Sequence, residues 1–398
     1  MKRLSHVTVA AFFIVALFML LTPKEAKAIK AYATRTSLDC TVCHNGPQAK
    51  LTPFGVDFLR RGHRLAGEEP TTDIGKMISI NAKLRFNHMS TPGGKSTFEA
   101  HALALYFGTP LNKHFSTAGE IYLYENTGKT TGAVNGDFGR SKLADLYIQY
   151  VSNPEKDTFT SVRFGQISPS QLNIYWNAGP RYTETRPFAI NNAAVGSNPY
   201  KPFMRNFGIE VAQTVKRFHG AFGVLNGTGA AVTNSVDNNR AKDYYATADY
   251  ILDSSGSAVG AYAYKGQGLI TPSTGPSWQN SFSRFGAFGQ FTRGKLNLTG
   301  VVTKGREQIT SAGVRTENLG GLVEVDYNLT NKFAAFSRYD YFDADQAKKN
   351  DQLSGPVFGA TYRFIDTGRI VYEFHKQGKF VLNGSKPNEH RVELAFMF

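Results

Sequence analysis

Cys40, Cys43 and His44 stand in the stretch LDCTVCHNG as C-x-x-C-H, and they include the only two cysteines in 398 residues. At that spacing two thiols can add to the two vinyl groups of a haem, while the adjacent imidazole supplies an axial nitrogen to its iron. The competing uses are a disulfide across a four-residue turn and a thioredoxin-like redox pair; the second needs a βαβ context that this sequence lacks. One covalent haem c is the reading, with His44 as an iron ligand. No further cysteine competes for the two thiols.

The residues just downstream bear on the other face of the iron. TPFGVDFLRRGH predicts a short helix with Thr52 as N-cap, Pro53 at its first position and Gly62 at its end. Phe54 and Phe58, four residues apart, then share a side and are candidates to pack on the porphyrin or on a surrounding wall. His63, where the chain can fold back, is the first candidate for the sixth iron ligand. Met77, His88, Met89 and an open or water-bound position are the alternatives. A methionine would raise the reduction potential relative to two histidines. His101, His114, His219, His375 and His390 are read as ordinary solvated side chains. No catalytic side chain is assigned.

These residues must be carried outside the cytoplasm, where c-type haem is attached. Lys2 and Arg3, an apolar run from Val7 to Leu21 and the small residues Ala26 and Ala28 read as a signal peptide over residues 1–28. The run is shorter than the ~20 residues of a spanning helix. Residues 29–72 then form a small monohaem cytochrome c segment and residues 73–398 the remainder. The formal charge of +14 falls to +11 once Lys2, Arg3, Lys24, Glu25 and Lys27 leave. Its basic residues are scattered rather than clustered, and export removes the usual partner, so nucleic acid is not a partner. Anionic lipopolysaccharide and anionic solutes suit the charge.

From about Ile74 the chain alternates apolar and polar residues in segments of around ten, broken by Gly, Asn, Asp, Pro and Ser. That is the pattern of a transmembrane β-barrel. In ISINAKLRFN, Ile78, Ile80, Ala82, Leu84 and Phe86 share one face and Asn81, Lys83 and Arg85 the other. In KLADLYIQYV, Ala144, Leu146, Ile148 and Tyr150 face lipid, with Asp145 and Gln149 inside. In GLVEVDYNL, Leu322, Glu324 and Asp326 point inward. About sixteen strands follow, starting near 75, 97, 115, 140, 158, 204, 218, 242, 257, 281, 295, 316, 332, 353, 368 and 388. The last ends on Phe398, like the terminal aromatic read by outer-membrane assembly machinery. Tyrosines and phenylalanines in YLYEN, DYYATADY and RYDYF fit aromatic girdles. Residues 168–203 make the longest stretch without strand character, read as a loop folded into the pore, with Arg163, Arg181 and Arg186 bringing positive charge there. The fold class expected is thus all-β: an outer-membrane antiparallel barrel of about sixteen strands, plugged by a small N-terminal c-type haem segment of short helix and loops.

This order resembles the fused outer-membrane monohaem cytochrome c–porins of the bacterial iron oxidase type. ATRTSLDCTVCHNGP and LTPFGVDFLRRGHRL carry the likeness in motif over residues 33–65, and a barrel closing on ELAFMF carries it in architecture. VRFGQISP is also similar to strands of general porins. The resemblance implies a protein in the outer membrane of a Gram-negative bacterium, its haem segment in the lumen or at the periplasmic mouth. There it would oxidise extracellular Fe(II) and pass electrons to a soluble periplasmic cytochrome c. Cys40, Cys43 and His44 carry over directly, and His63 as the distal ligand. The alternatives are an anion-selective or general porin whose haem plug gates or stabilises it, and outward electron transfer to extracellular acceptors. Asp137, Asp343, Asp345 and Asp351 are candidate docking residues for Fe(II), though read first as solvated loop carboxylates.

Overall fold

Strands with one apolar and one polar side leave two problems, an unlike pair of faces and two free edges; closing the sheet into a cylinder solves both. The computed structural model describes residues 30–47, 50–90, 94, 96–126, 139–169, 183–191, 195, 198, 200–202, 204–227, 237, 239–272, 274–376 and 388–398. The predicted signal peptide therefore lies outside the described residues, as do Asp137 and Arg181.

A small N-terminal part comes first: α1 (Lys30–Thr36), α2 (Cys40–Cys43), the two-residue strands β1 (His44–Asn45) and β2 (Lys50–Leu51), α3 (Pro53–Arg60) and a 3-10 turn over Ile74–Lys76. Sixteen strands follow. They are β3 (Ile78–Met89), β4 (Ser96–Pro110), β5 (Phe115–Asn126), β6 (Gly139–Val151), β7 (Thr158–Ile167), β8 (Asn206–Val215), β9 (Phe218–Leu225) and β10 (Asp243–Ile251). Then come β11 (Ala258–Ile270), β12 (Trp278–Arg293), β13 (Leu296–Gln308), β14 (Arg315–Asn328), β15 (Phe333–Asp343), β16 (Leu353–Ile365), β17 (Gly368–Lys376) and β18 (Asn388–Met397). All sixteen begin within three residues of the predicted starts.

Each strand pairs antiparallel with its sequence neighbours, and β18 closes on β3 with Leu394 opposite Leu84. An even count returns the chain to the rim where it began: Ile80 and Phe398 exchange backbone hydrogen bonds there. Connections at that rim are short, as few as the two residues 294–295 and 366–367, whereas those at the other run to 127–138, 168–205 and 226–242.

Alternation sets the two faces as read. Val323, Val325 and Tyr327 are exposed on the outside while Leu322, Glu324 and Asp326 are buried within. Leu146 and Ile148 face out, and Gln149 is buried on the lumen side. Ala144 departs from the expectation of lipid exposure. It is fully buried at a bulge, where Glu120 pairs with Asp145 but Ile121 already pairs with Leu143.

The long connection after β7 folds inward, as predicted. Thr183 Oγ1 accepts from Arg338, the Glu184 amide donates to Glu373 (2.8 Å), and Asn198 donates to Glu307 (2.6 Å). Its helix α4 (Phe188–Asn191) packs on β14 and β15, and the Tyr200 ring lies 4.4 Å from that of Tyr264. The positive charge expected at the narrowing is reduced, because Arg163 is buried against Glu210; Arg186 is half-buried on the loop.

Candidate functional site

The C-x-x-C-H stretch forms one helical turn, begun by Asp39, whose carboxylate accepts from the Thr41 amide. Cys40 and Cys43 stand as thiols on that turn, Cys40 buried and Cys43 half-buried. Burial, with the neighbouring Cys40 adding to it, pushes the Cys43 thiol up to about 11. His44 begins β1 and pairs with Leu51.

The turn is braced on α3. Thr52 caps that helix by accepting from the Gly55 amide (3.1 Å), and its own hydroxyl donates to the Val42 carbonyl (2.6 Å). Its backbone N–H donates to the Cys43 carbonyl (3.0 Å). Gly55 allows this approach, since a Cβ there would lie 2.3 Å from that carbonyl oxygen. The helix ends as its sequence predicts, with Arg61 at the C-cap and Gly62 at φ +85°.

The segment is fastened to the short-turn end of the barrel. Arg61 donates to the carbonyls of Pro154 and Lys156, and Arg64 to that of Asn112, all at 2.7 Å and all on connections of that rim. Arg60 pairs with Asp249 (2.6 Å). Lys50 reaches furthest into the wall, to Asp326 (2.7 Å), Glu324 (3.1 Å) and Asn297 (3.3 Å). Burial works against its ammonium, but the two carboxylates outweigh that and raise its pKa above the usual lysine value.

His63 follows Gly62 with φ 60°, a conformation costly for any residue but glycine. Both ring nitrogens are engaged: Nδ1 lies 2.9 Å from the Tyr32 hydroxyl and Nε2 2.7 Å from that of Tyr147. Burial, aided by the charges of Arg35 and Arg163, pulls its pKa down to about 3, so the ring is neutral at any physiological pH. It borders an open hollow lined also by Val56, Leu59, Tyr147, Arg163 and His219. A second lies along α3 beside Lys50, Pro53 and Phe288.

The two phenylalanines part company. Phe58 is buried with its ring 5.3 Å from Tyr32 and 6.5 Å from His63, while Phe54 is exposed. Val56, Leu59 and Arg60 line the hollow instead. Among the alternatives for the sixth ligand, Met77 caps the 3-10 turn at the foot of β3. His88 and Met89 end that strand at the opposite rim, roughly 35 Å away at ~3.3 Å per residue, out of reach of the cysteine turn. His219, read as solvated, is buried in the lumen wall with Nδ1 3.1 Å from Thr214 Oγ1. His375 is buried as well, its ring 5.5 Å from that of Phe188.

Alternation had already turned Tyr147 inward, but nothing in sequence pairs it with His63 across 84 residues; the same holds for Tyr32 and for Lys50. Of the acidic loop candidates, Asp345 accepts from Thr316 and pairs with Lys348 (2.9 Å). Among the described residues no three Cys, His, Asp or Glu side chains converge as a metal-ion cluster. The chemistry of the donor set at Cys40, Cys43 and His44 does fit a covalent haem c: two thiols one turn apart, an imidazole next to them, and a backbone pinned on α3.

No family model matches the chain, and no curated protein does. Solved outer-membrane porins match the barrel. OmpF of Salmonella typhi, solved with daunomycin, is 13% identical with a TM-score of 0.58, over 81% of this chain and 97% of that one. The anion-selective porin of Comamonas acidovorans is 13% identical at 0.55, over 81% and 98%. The channel DcaP of Acinetobacter baumannii is 12% identical at 0.57, over 84% and 99%. At such identities the likeness is one of fold, and the fold is that of a sixteen-stranded outer-membrane porin.

Proposed function

We propose that this chain is an outer-membrane barrel of the porin type, with its N-terminal segment as a resident plug bearing one haem c. Cys40 and Cys43 would hold the haem covalently, with His44 on its iron. The observation that carries the proposal is the union of two features. A C-x-x-C-H turn braced on α3 belongs to a segment whose Lys50 is locked into the lumen wall by Glu324 and Asp326.

The fold comparisons support the porin part, and with it a channel, anion-selective or general, that the plug and the inward loop restrict. Electron transfer across the outer membrane is the second reading. It draws on the filling of the lumen from both rims, by Lys50 and Arg61 on one side and by Thr183 and Tyr200 on the other. That arrangement suits the passage of electrons better than that of solutes. In this reading extracellular Fe(II) is the donor and a soluble periplasmic cytochrome c the acceptor, with lipid and lipopolysaccharide around the barrel.

When bound, the haem would supply a reversible one-electron couple. The chain's own residues supply the setting. His63, which borders the hollow, would be a further residue to hold the group through Nε2 were Tyr147 released, with Tyr32 keeping Nδ1. Arg60 and Arg163 line the same hollow, each already paired, with Asp249 and Glu210.

Haem staining after denaturing electrophoresis tests the first step: the native chain should stain and Cys40→Ala/Cys43→Ala should not. A colourless native chain would remove the haem. Anaerobic mixing with Fe(II) then separates the readings, since reduction of the Soret and α bands is required for iron oxidation. Steady conductance in planar bilayers with no spectral response leaves the restricted channel.

A further inference from the structure

Two histidines, one an alternative iron ligand in the sequence reading and the other read as a solvated side chain, come together at the seam where the barrel closes. His88 near the end of β3 and His390 near the start of β18 are directly opposite in the strand register. They share the outward face with Phe86, Val392 and Leu394, since Lys83, Arg85 and Glu393 point into the lumen. The pair sits at the rim of the long connections, where the apolar belt gives way to water, and both rings are half-buried.

We propose that His88 and His390 form a binding site for one divalent transition-metal ion on the outer wall of the barrel. Their ring centroids are 5.9 Å apart with the planes tilted by 36°. Two imidazoles sharing a tetrahedral ion at about 2.0–2.1 Å from each nitrogen have centroids roughly 5 Å apart. Closing the difference takes a small side-chain rotation and no backbone movement.

The hydrogen bonds supply a second, independent observation. His88 Nδ1 lies 2.7 Å from Ser96 Oγ, and His390 Nδ1 lies 3.0 Å from the Tyr372 hydroxyl. When each Nδ1–H donates to its hydroxyl, the proton sits on Nδ1 and the lone pair on Nε2. That is the tautomer and anchoring a metal-bound histidine needs. Phe374, with its ring 4.8 Å from His390, buttresses the imidazole from the side. Imidazole donors suit Zn(II), Cu(II), Ni(II) and Fe(II), and exclude Mg(II) and Ca(II), which take oxygen ligands. Water or an anionic oxygen of the surrounding outer leaflet would complete the sphere. The site lies outside the lumen, so it stands or falls separately from the haem plug.

The test uses the purified holoprotein in detergent and two probes, Zn(II) by titration calorimetry and Cu(II) by electron paramagnetic resonance. One ion per chain is expected in excess of the His88→Gln/His390→Gln variant, with hyperfine coupling to two nitrogens. Each single substitution should weaken binding by at least tenfold, and Ser96→Ala, which frees one anchor, by severalfold. Both histidines are outward, so the variants should keep the heat-modifiable gel mobility of a folded barrel. Equal stoichiometry and affinity in the native and doubly substituted chains would overturn the site, as would a Cu(II) spectrum unchanged by the substitutions.

Discussion

Two segments enter the lumen from opposite rims, and they are fastened by different sets of contacts. The N-terminal plug brings cations to an acidic wall: Lys50 to Glu324 and Asp326, Arg60 to Asp249. The inward loop brings Glu184 to Lys83 and Arg369 and adds an aromatic anchor, Tyr200, between Tyr264 and Phe282. The plug depends on charge at depth, where an unpaired partner is costly; the loop depends on ring packing as well.

Lys50→Ala breaks the plug's side of this comparison most severely. It takes the cation from buried Asp326 and leaves Glu324 with Arg338 (3.6 Å), a loss of about 3–5 kcal/mol. Limited proteolysis should then release the N-terminal segment, and bilayer conductance should rise, while the loop stays protected. Tyr200→Ala removes the loop's ring from its aromatic seat, costing about 3 kcal/mol of local stability. Conductance should rise here too, yet protection of the N-terminal segment against protease should be unchanged; release of the plug would show that the two occupants are coupled. Gly55→Ala is a smaller and more local break. Its Cβ would press on the Cys43 carbonyl, so α3 and the cysteine turn must separate at a cost of about 1–3 kcal/mol. The yield of haem-stained protein should fall with the barrel intact. Glu317→Gln removes an exposed partner of Lys304 and Arg306 and should leave every one of these measurements where it was.

Much of the barrel was legible because a period of two repeats in every strand. GLVEVDYNL sorts itself onto two faces without any knowledge of its neighbours, and its neighbours do the same. Ala144 escaped that rule because a bulge inserts one residue, and alternation has no mark for it. The cap at Thr52, the proline after it and the reversal at Gly62 were legible for a similar reason: each is a local backbone requirement met by a local residue type.

Partners across the chain were not legible. His63 was singled out for its place at a helix end, but its hold on Tyr32 and Tyr147 joins three points spread over 115 residues of sequence. Phe54 and Phe58 looked equivalent on a helical wheel, and the surroundings of α3 buried one and exposed the other. His88 and His390, some three hundred residues apart, meet only because the last strand returns to the first.

The amino-acid order by itself determined which side of a strand meets lipid wherever no bulge intervenes, how many strands there are, and that one C-x-x-C-H turn precedes them. Those properties follow from nearest-neighbour chemistry and need no distant contact. Tertiary structure alone decided what occupies the cylinder and which charge faces which, because buried ions must find partners wherever closure of the sheet happens to bring them.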